Sequence, residues 1–326
     1  MSDEREGAPP IPAALLVAIV ACFFLSGAAS LVLEVVWSRL LRLVFGTTTL
    51  AISTILVAYM AGLGIGGLLG GRIALRMRNG IRAYGAIEIA VGLYALAMPL
   101  LFSFFPDLAR ALLADLAFWP SVLARFALAF TVLCAPTIGM GLTLPLLTRA
   151  LVRDERAGAG IALLYGLNTL GAVSGVFLAT FLLLPWLGVT GANHAGALAY
   201  LALGVVALLL SRSAATRSAP VPATAPAQDR LARWNPALLA YGTIGFTSLV
   251  YEVTWTRALS MVMGSSIYAF ACMLAAFLFG IAAGSLLARG FVDRLRRPLV
   301  AYAVGIAAVG LLSLVFMAVM AGMGRY

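Results

Sequence analysis

The chain has 326 residues, of which 63% are hydrophobic and 10% charged, with a mean hydropathy of +1.05 and a net charge of +10. A soluble domain is about half apolar and about a quarter charged, so this composition excludes one and points to an all-α, polytopic transmembrane helix bundle. All 22 basic residues are arginines in or beside short connections between apolar runs, which makes membrane topology, not nucleic acid, the reading of the charge.

The chain opens on MSDEREGAPPIP, acidic and proline-rich with no basic stretch. The apolar run that follows is too long for a cleaved leader and shows no clear cleavage site, so residues 1–11 are read as a cytoplasmic tail before a retained first helix. Apolar runs of about 20 residues mark spanning helices. They fall near 12–33, 47–71, 82–104, 120–147, 158–184, 191–211, 236–256, 266–288 and 299–323. The first can continue past Glu34 as one long tilted helix.

Arginine placement tests this order. The connections after the second, fourth, sixth and eighth runs are arginine-rich, for example Arg72, Arg76, Arg78 and Arg82 after the second. The alternate connections are poor. The alternation predicts a cytoplasmic N-terminus. Residues 212–235 are rich in Ala, Pro and Ser and read as a flexible cytoplasmic linker. They divide a six-helix bundle (12–211) from a three-helix remainder (236–326).

The two parts are related by duplication. Residues 27–93 and 245–311 align at a constant offset of 218 residues without a gap. Gly27 matches Gly245, Glu34 matches Glu252, Trp37 matches Trp255, Arg39 matches Arg257, Gly46 matches Gly264, Gly62 matches Gly280, Gly66 matches Gly284 and Gly92 matches Gly310. A register held over that length marks a copied unit. Both copies start from the same side, so they are parallel repeats. The second stops after three helices, which suggests that the sequence is incomplete or that part of the copy was lost.

The polar residues inside these runs are the site candidates. The repeated ExxWxR motif supplies Glu34, Trp37, Arg39, Glu252, Trp255 and Arg257. A charge at the centre of a spanning helix costs about 2.5–3.5 kcal/mol on insertion scales unless it is paired. An outer belt of tryptophan and snorkelling arginine would explain two of the three residues, but not the glutamate. The expectation is a pair of ion bridges between copies, Glu34 with Arg257 and Glu252 with Arg39. Glu88 lies about two turns into the third helix and matches Ile306. The shared scaffold therefore does not require its carboxylate, and Glu88 is the stronger candidate for function. Tyr165 and Asn168 lie in the fifth span, where Asn168 is expected to hydrogen-bond between helices.

Other patterns carry less. Gly62, Gly64 and Gly67 fit the dinucleotide fingerprint GxGxxG, but no strand precedes them and no acid follows. Their four-residue spacings, Gly62–Gly66, Gly66–Gly70 and Gly67–Gly71, read as a close-packing face. Pro136 and Pro145 are expected to kink the fourth span. Cys22, Cys134 and Cys272 have no metal spacing, and His194 is a single histidine. No catalytic constellation, metal site or cofactor is predicted.

Three segments taken together, 26–72, PTIGMGLTLPLLTRAL (136–151) and LYGLNTLGAVSGVFLATFLLLPWLG (164–188), resemble the membrane region of bacterial fused spermidine-synthase-like proteins. The resemblance implies a membrane module that anchors or feeds a soluble aminopropyltransferase-type domain, with the lipid bilayer, that domain and other membrane subunits as partners. It carries no catalytic residue over to these positions. The alternatives are a secondary transporter with major-facilitator-like parallel repeats, and a structural subunit of a membrane complex.

Overall fold

A computed structural model describes residues 12–46, 49–152, 157–213, 236–264 and 267–323. The tail at 1–11 and nearly all of the linker at 212–235 lie outside them. The elements are α1 (Ala13–Phe45), α2 (Thr49–Arg76), α3 (Gly80–Leu113), α4 (Phe118–Leu151), α5 (Ala157–Phe177), a π-helical stretch (Leu178–Leu183), α6 (Leu184–Leu210), α7 (Pro236–Met263), α8 (Ile267–Ala288), a short turn (Val292–Arg294) and α9 (Pro298–Met323). No strand occurs among the described residues. The chain is an all-α bundle of the kind its composition requires.

Seven helical stretches among the described residues are long and apolar enough to cross a membrane. One of them, Ala157–Leu210, has 54 residues. At 1.5 Å per residue it would exceed a bilayer nearly twofold. It divides at Gly188, whose φ of 67° and ψ of −173° break the helix, as the gap between the predicted fifth and sixth spans requires. The helix α7 is not among the seven, because its Tyr, Thr, Ser and Glu252 lower its hydropathy. The helix α1 does run past Glu34, for 33 residues in all.

The core is built around α1, which α5 and α6 flank. The other heavily packed pairs are α2 with α4, α3 with α6, α5 with α8, and α3 with α4. Small residues set these distances. A Cβ on Gly171 or Gly175 would strike the carbonyls of Phe24 or Ala28, and one on Gly27 that of Asn168. On α2, Gly62, Gly66 and Gly70 meet Thr137, Ile138 and Leu142 of α4 in the same way. Gly67 and Gly71 do not share this role; a Cβ there meets open space. Residues at four-residue spacing lie on one helix face, and 67 and 71 are rotated off the face of 62, 66 and 70.

The prolines are absorbed without breaking α4, which is continuous through Pro136 and Pro145. A proline cannot donate to the carbonyl four residues earlier. Pro136 therefore frees Val132, whose oxygen accepts the hydroxyl of Tyr94 from α3 at 2.8 Å. Pro99, inside α3, frees Ala95, whose oxygen accepts the amide of Asn193 at 2.7 Å.

Alternate connections gather at opposite ends. At one end Asn79 donates to the Ser211 carbonyl at 2.9 Å, and both carboxylate oxygens of Asp293 accept from the amides of Gly158 and Ala159 at 3.0 Å. At the other end Arg125 donates to the Phe45 carbonyl at 2.7 Å, and Phe45 packs edge-on against Phe105. The arginine-rich connections thus share the first end. The second copy joins the first through α8, which packs along α5, and more lightly through α7 against α2. Within each copy a left-handed glycine closes the first helix, Gly46 at φ 87° and Gly264 at φ 80°.

Candidate functional site

The ExxWxR motif is split by helical geometry. Positions 34 and 39 are five residues apart, about 140° around a helix at 100° per residue, so one cannot point where the other does. Glu34 and Glu252 are buried, whereas Arg39 and Arg257 are exposed. The expected bridges Glu34–Arg257 and Glu252–Arg39 are therefore a correction: neither forms, and the ion pair seen among the described residues is an exposed one, Arg110–Asp107 at 3.1 Å. The two glutamates instead lie within direct electrostatic reach of one another. Each sits 11 residues inside the C-terminal end of its helix, about 16 Å in, which is deeper than a headgroup layer.

Residues at i+4 and i+8 continue the glutamate face. In α1 these are Ser38 and Arg42; in α7 they are Thr256 and Ser260. Arg42 is half-buried, its guanidinium lies 5.2 Å from the ring centre of Phe270 in α8, and its Nε donates to the Ser38 carbonyl at 3.1 Å. Glu34, Ser38 and Arg42 line a cavity of about 10 Å³ with Ile55, Leu56 and Tyr59 of α2 and Phe270. That is scarcely the room of one water. Tyr59 is buried, and its hydroxyl lies 3.3 Å from Ser30 and 3.2 Å from the sulfur of Met140. One carboxylate oxygen of Glu252 is buried without a hydrogen-bond partner.

The tryptophans diverge. Trp37 is fully buried, which removes it from the outer belt; its indole N–H donates to Asn193 Oδ1 at 2.9 Å. Trp255 is half-buried and packs edge-on against Phe316 of α9. Asn193 was overshadowed in the sequence by His194 beside it, which is exposed. An amide in the middle of an apolar run was the available signal.

Glu88 stands apart from this group. It is fully buried and accepts the hydroxyl of Ser26 at 2.8 Å, while its other oxygen has no partner. Tyr84, whose hydroxyl lies 3.4 Å from the Cys22 carbonyl, and Tyr200 surround it. It does not line the cavity shared by Glu34 and Arg42. Asn168 is the interhelix bond expected of it, donating to the Phe23 carbonyl at 2.8 Å. Tyr165 is exposed and joins neither group. No cluster of three metal-ligating side chains occurs among the described residues.

No family model, curated protein or solved structure matches this chain.

Proposed function

We propose that the chain is the membrane module of a spermidine-synthase-like protein and that the seam between its two repeats binds a small primary ammonium. The observation that carries this is a pair of buried carboxyl groups at equivalent positions of the two copies. Glu34 and Glu252 lie within electrostatic reach of one another, and Glu34 lines a small cavity with Arg42. Two buried carboxyl groups beside one cation at membrane depth are costly to ionise without a further partner, and a bound ammonium is a partner that would let both carry charge. On this proposal the tight cavity is the closed arrangement, and α7, lightly packed on α2, moves to open it. In this reading the arginine-rich end faces the cytoplasm of a bacterial inner membrane, where a soluble synthase-like domain receives the amine.

The test is calorimetric titration of the purified protein with butylamine, putrescine and spermidine. Saturable binding that Glu34→Gln and Glu252→Gln each weaken tenfold or more, and Glu88→Gln leaves intact, supports the site. Binding that survives both glutamine variants, or no binding to the folded protein, removes it. A second reading, a carrier with parallel repeats, is favoured by the meeting of equivalent residues of two copies at one seam. Amine uptake into vesicles containing only this protein separates carriage from delivery.

A further inference from the structure

The two copies present the same surfaces, but only the first has them covered. Gly27, Gly62, Gly66 and Gly92 each lie so close to a neighbouring helix that a Cβ would clash, with α5, α4, α4 and α6 respectively. Their counterparts Gly245, Gly280, Gly284 and Gly310 have nothing within 4 Å of such an atom. Larger residues follow the same rule. Phe23 is 1% exposed, and Tyr241, at the same offset of 218 residues one turn ahead of the repeat, is 70% exposed; Val91 is 3% exposed and Val309 56%.

A second interface extends the comparison in the other direction. On α8, Ala282, Ser285 and Leu286 receive α5: Ser285 donates to the Ala162 carbonyl at 2.9 Å, and a Cβ on Gly166 would press on Leu286. The equivalent positions on α2 are Gly64, Gly67 and Leu68. There the glycines face open space and Leu68 is 76% exposed. In the first case α5 bridges α1 of its own copy and α8 of the other. The vacant surfaces on α7 and α2 are placed for one helix to bridge them in the same manner.

From this correspondence we infer that α2, α7, α8 and α9 form a docking surface for a three-helix membrane unit of α4–α6 type, which completes a bundle with two-fold pseudosymmetry. Its first helix would carry small residues and threonine, as α4 presents Thr137 and Gly141, and lie on Gly280 and Gly284. Its second would carry glycine or alanine at four-residue spacing, as α5 presents Gly171 and Gly175, and lie between Gly245 and Gly64. Close backbone approach of this kind is what holds helices together where lipid replaces water. The occupant is thus a polypeptide, selected by shape, and it covers faces that no helix of the described chain reaches.

The test places p-benzoylphenylalanine at Leu68 or at Tyr241 in the protein expressed from its own gene in its own cells, with Phe104, an exposed residue of α3 away from these surfaces, as control. The expected result is that irradiation links both probes to one and the same polypeptide, at a peptide within a spanning helix bearing Gly, Ala, Ser or Thr at four-residue spacing, while the control gives lipid adducts. Lipid adducts at all three positions, or peptides from a second copy of residues 12–323, overturn the inference. Gly284→Leu clashes with nothing in the described chain, so its folded yield is expected to be unchanged and capture at both probes to fall at least tenfold. Undiminished capture in that variant also overturns it.

Discussion

Trp37 and Asn193 are joined by a buried hydrogen bond, and the same asparagine reaches the Ala95 carbonyl that Pro99 leaves free. One side chain thus fastens α1 to α3 through α6. An unpaired donor and acceptor in a membrane interior have no water to turn to.

Replacing Asn193 with leucine strands both groups at once. The expected loss is about 2–4 kcal/mol, taking about 1–2 for each group left without a partner. Trp37→Phe leaves one acceptor unpaired and a void where the indole was, and should cost about 1–3 kcal/mol. Denaturant unfolding in mild detergent, followed by tryptophan fluorescence for Asn193→Leu and by circular dichroism for Trp37→Phe, measures both. A loss below about 1 kcal/mol for Asn193→Leu would show that the amide does not hold two helices.

Tyr94 and Pro136 should be coupled. Tyr94→Phe leaves the Val132 carbonyl unsatisfied and should destabilise by about 1 kcal/mol. In a Pro136→Ala background the helix supplies its own amide to that carbonyl, and the tyrosine becomes redundant. A double-mutant cycle is expected to give an interaction of about 0.5–1.5 kcal/mol; simple additivity would contradict the account.

Asp293 caps α5 from the other copy. Its two oxygens take amides that α5 cannot satisfy within itself, at the end where the helix dipole favours negative charge. Asp293→Ala should cost about 0.5–2 kcal/mol, and Asp293→Asn less. Hydrogen exchange at Gly158 and Ala159 is the direct measure, with faster exchange in the alanine variant and little change elsewhere in α5.

Equivalent glycines should answer differently to the same substitution. Gly27→Leu forces a side chain into the Asn168 carbonyl, and its cost should exceed the about 1–3 kcal/mol typical of overpacking, because the obstacle is backbone. Gly245→Leu meets open space in this chain. Folded yield by fluorescence-detected gel filtration should collapse for the first and hold for the second.

Much of the bundle was legible in the sequence because lipid imposes few solutions. Run length placed the helices, and the offset of 218 residues placed the paired turns at Gly46 and Gly264. The four-residue glycine spacing indicated a packing face, although it did not distinguish Gly66–Gly70 from Gly67–Gly71. That choice depends on where α4 lies, which no local pattern states. The same gap explains the site. Glu34 and Arg39 point apart around their helix, as Glu252 and Arg257 do around theirs, so the bridges expected between copies, Glu34–Arg257 and Glu252–Arg39, would need exposed arginines on the buried face. Asn193 and Pro99 are 94 positions apart in the chain, and nothing short of the tertiary arrangement links an amide to the carbonyl a distant proline releases.

Arg42 has no twin: the duplicate register holds Ser260 in its place. The backbone plan is therefore symmetric while the electric field across the seam is not. A rearranged gene in which the second copy's first helix exchanged places with α1 would rebuild the same framework with its one guanidinium on the opposite flank. An ammonium bound at the seam as proposed would therefore meet a guanidinium on the α1 side alone, and the two copies could not offer it equivalent halves.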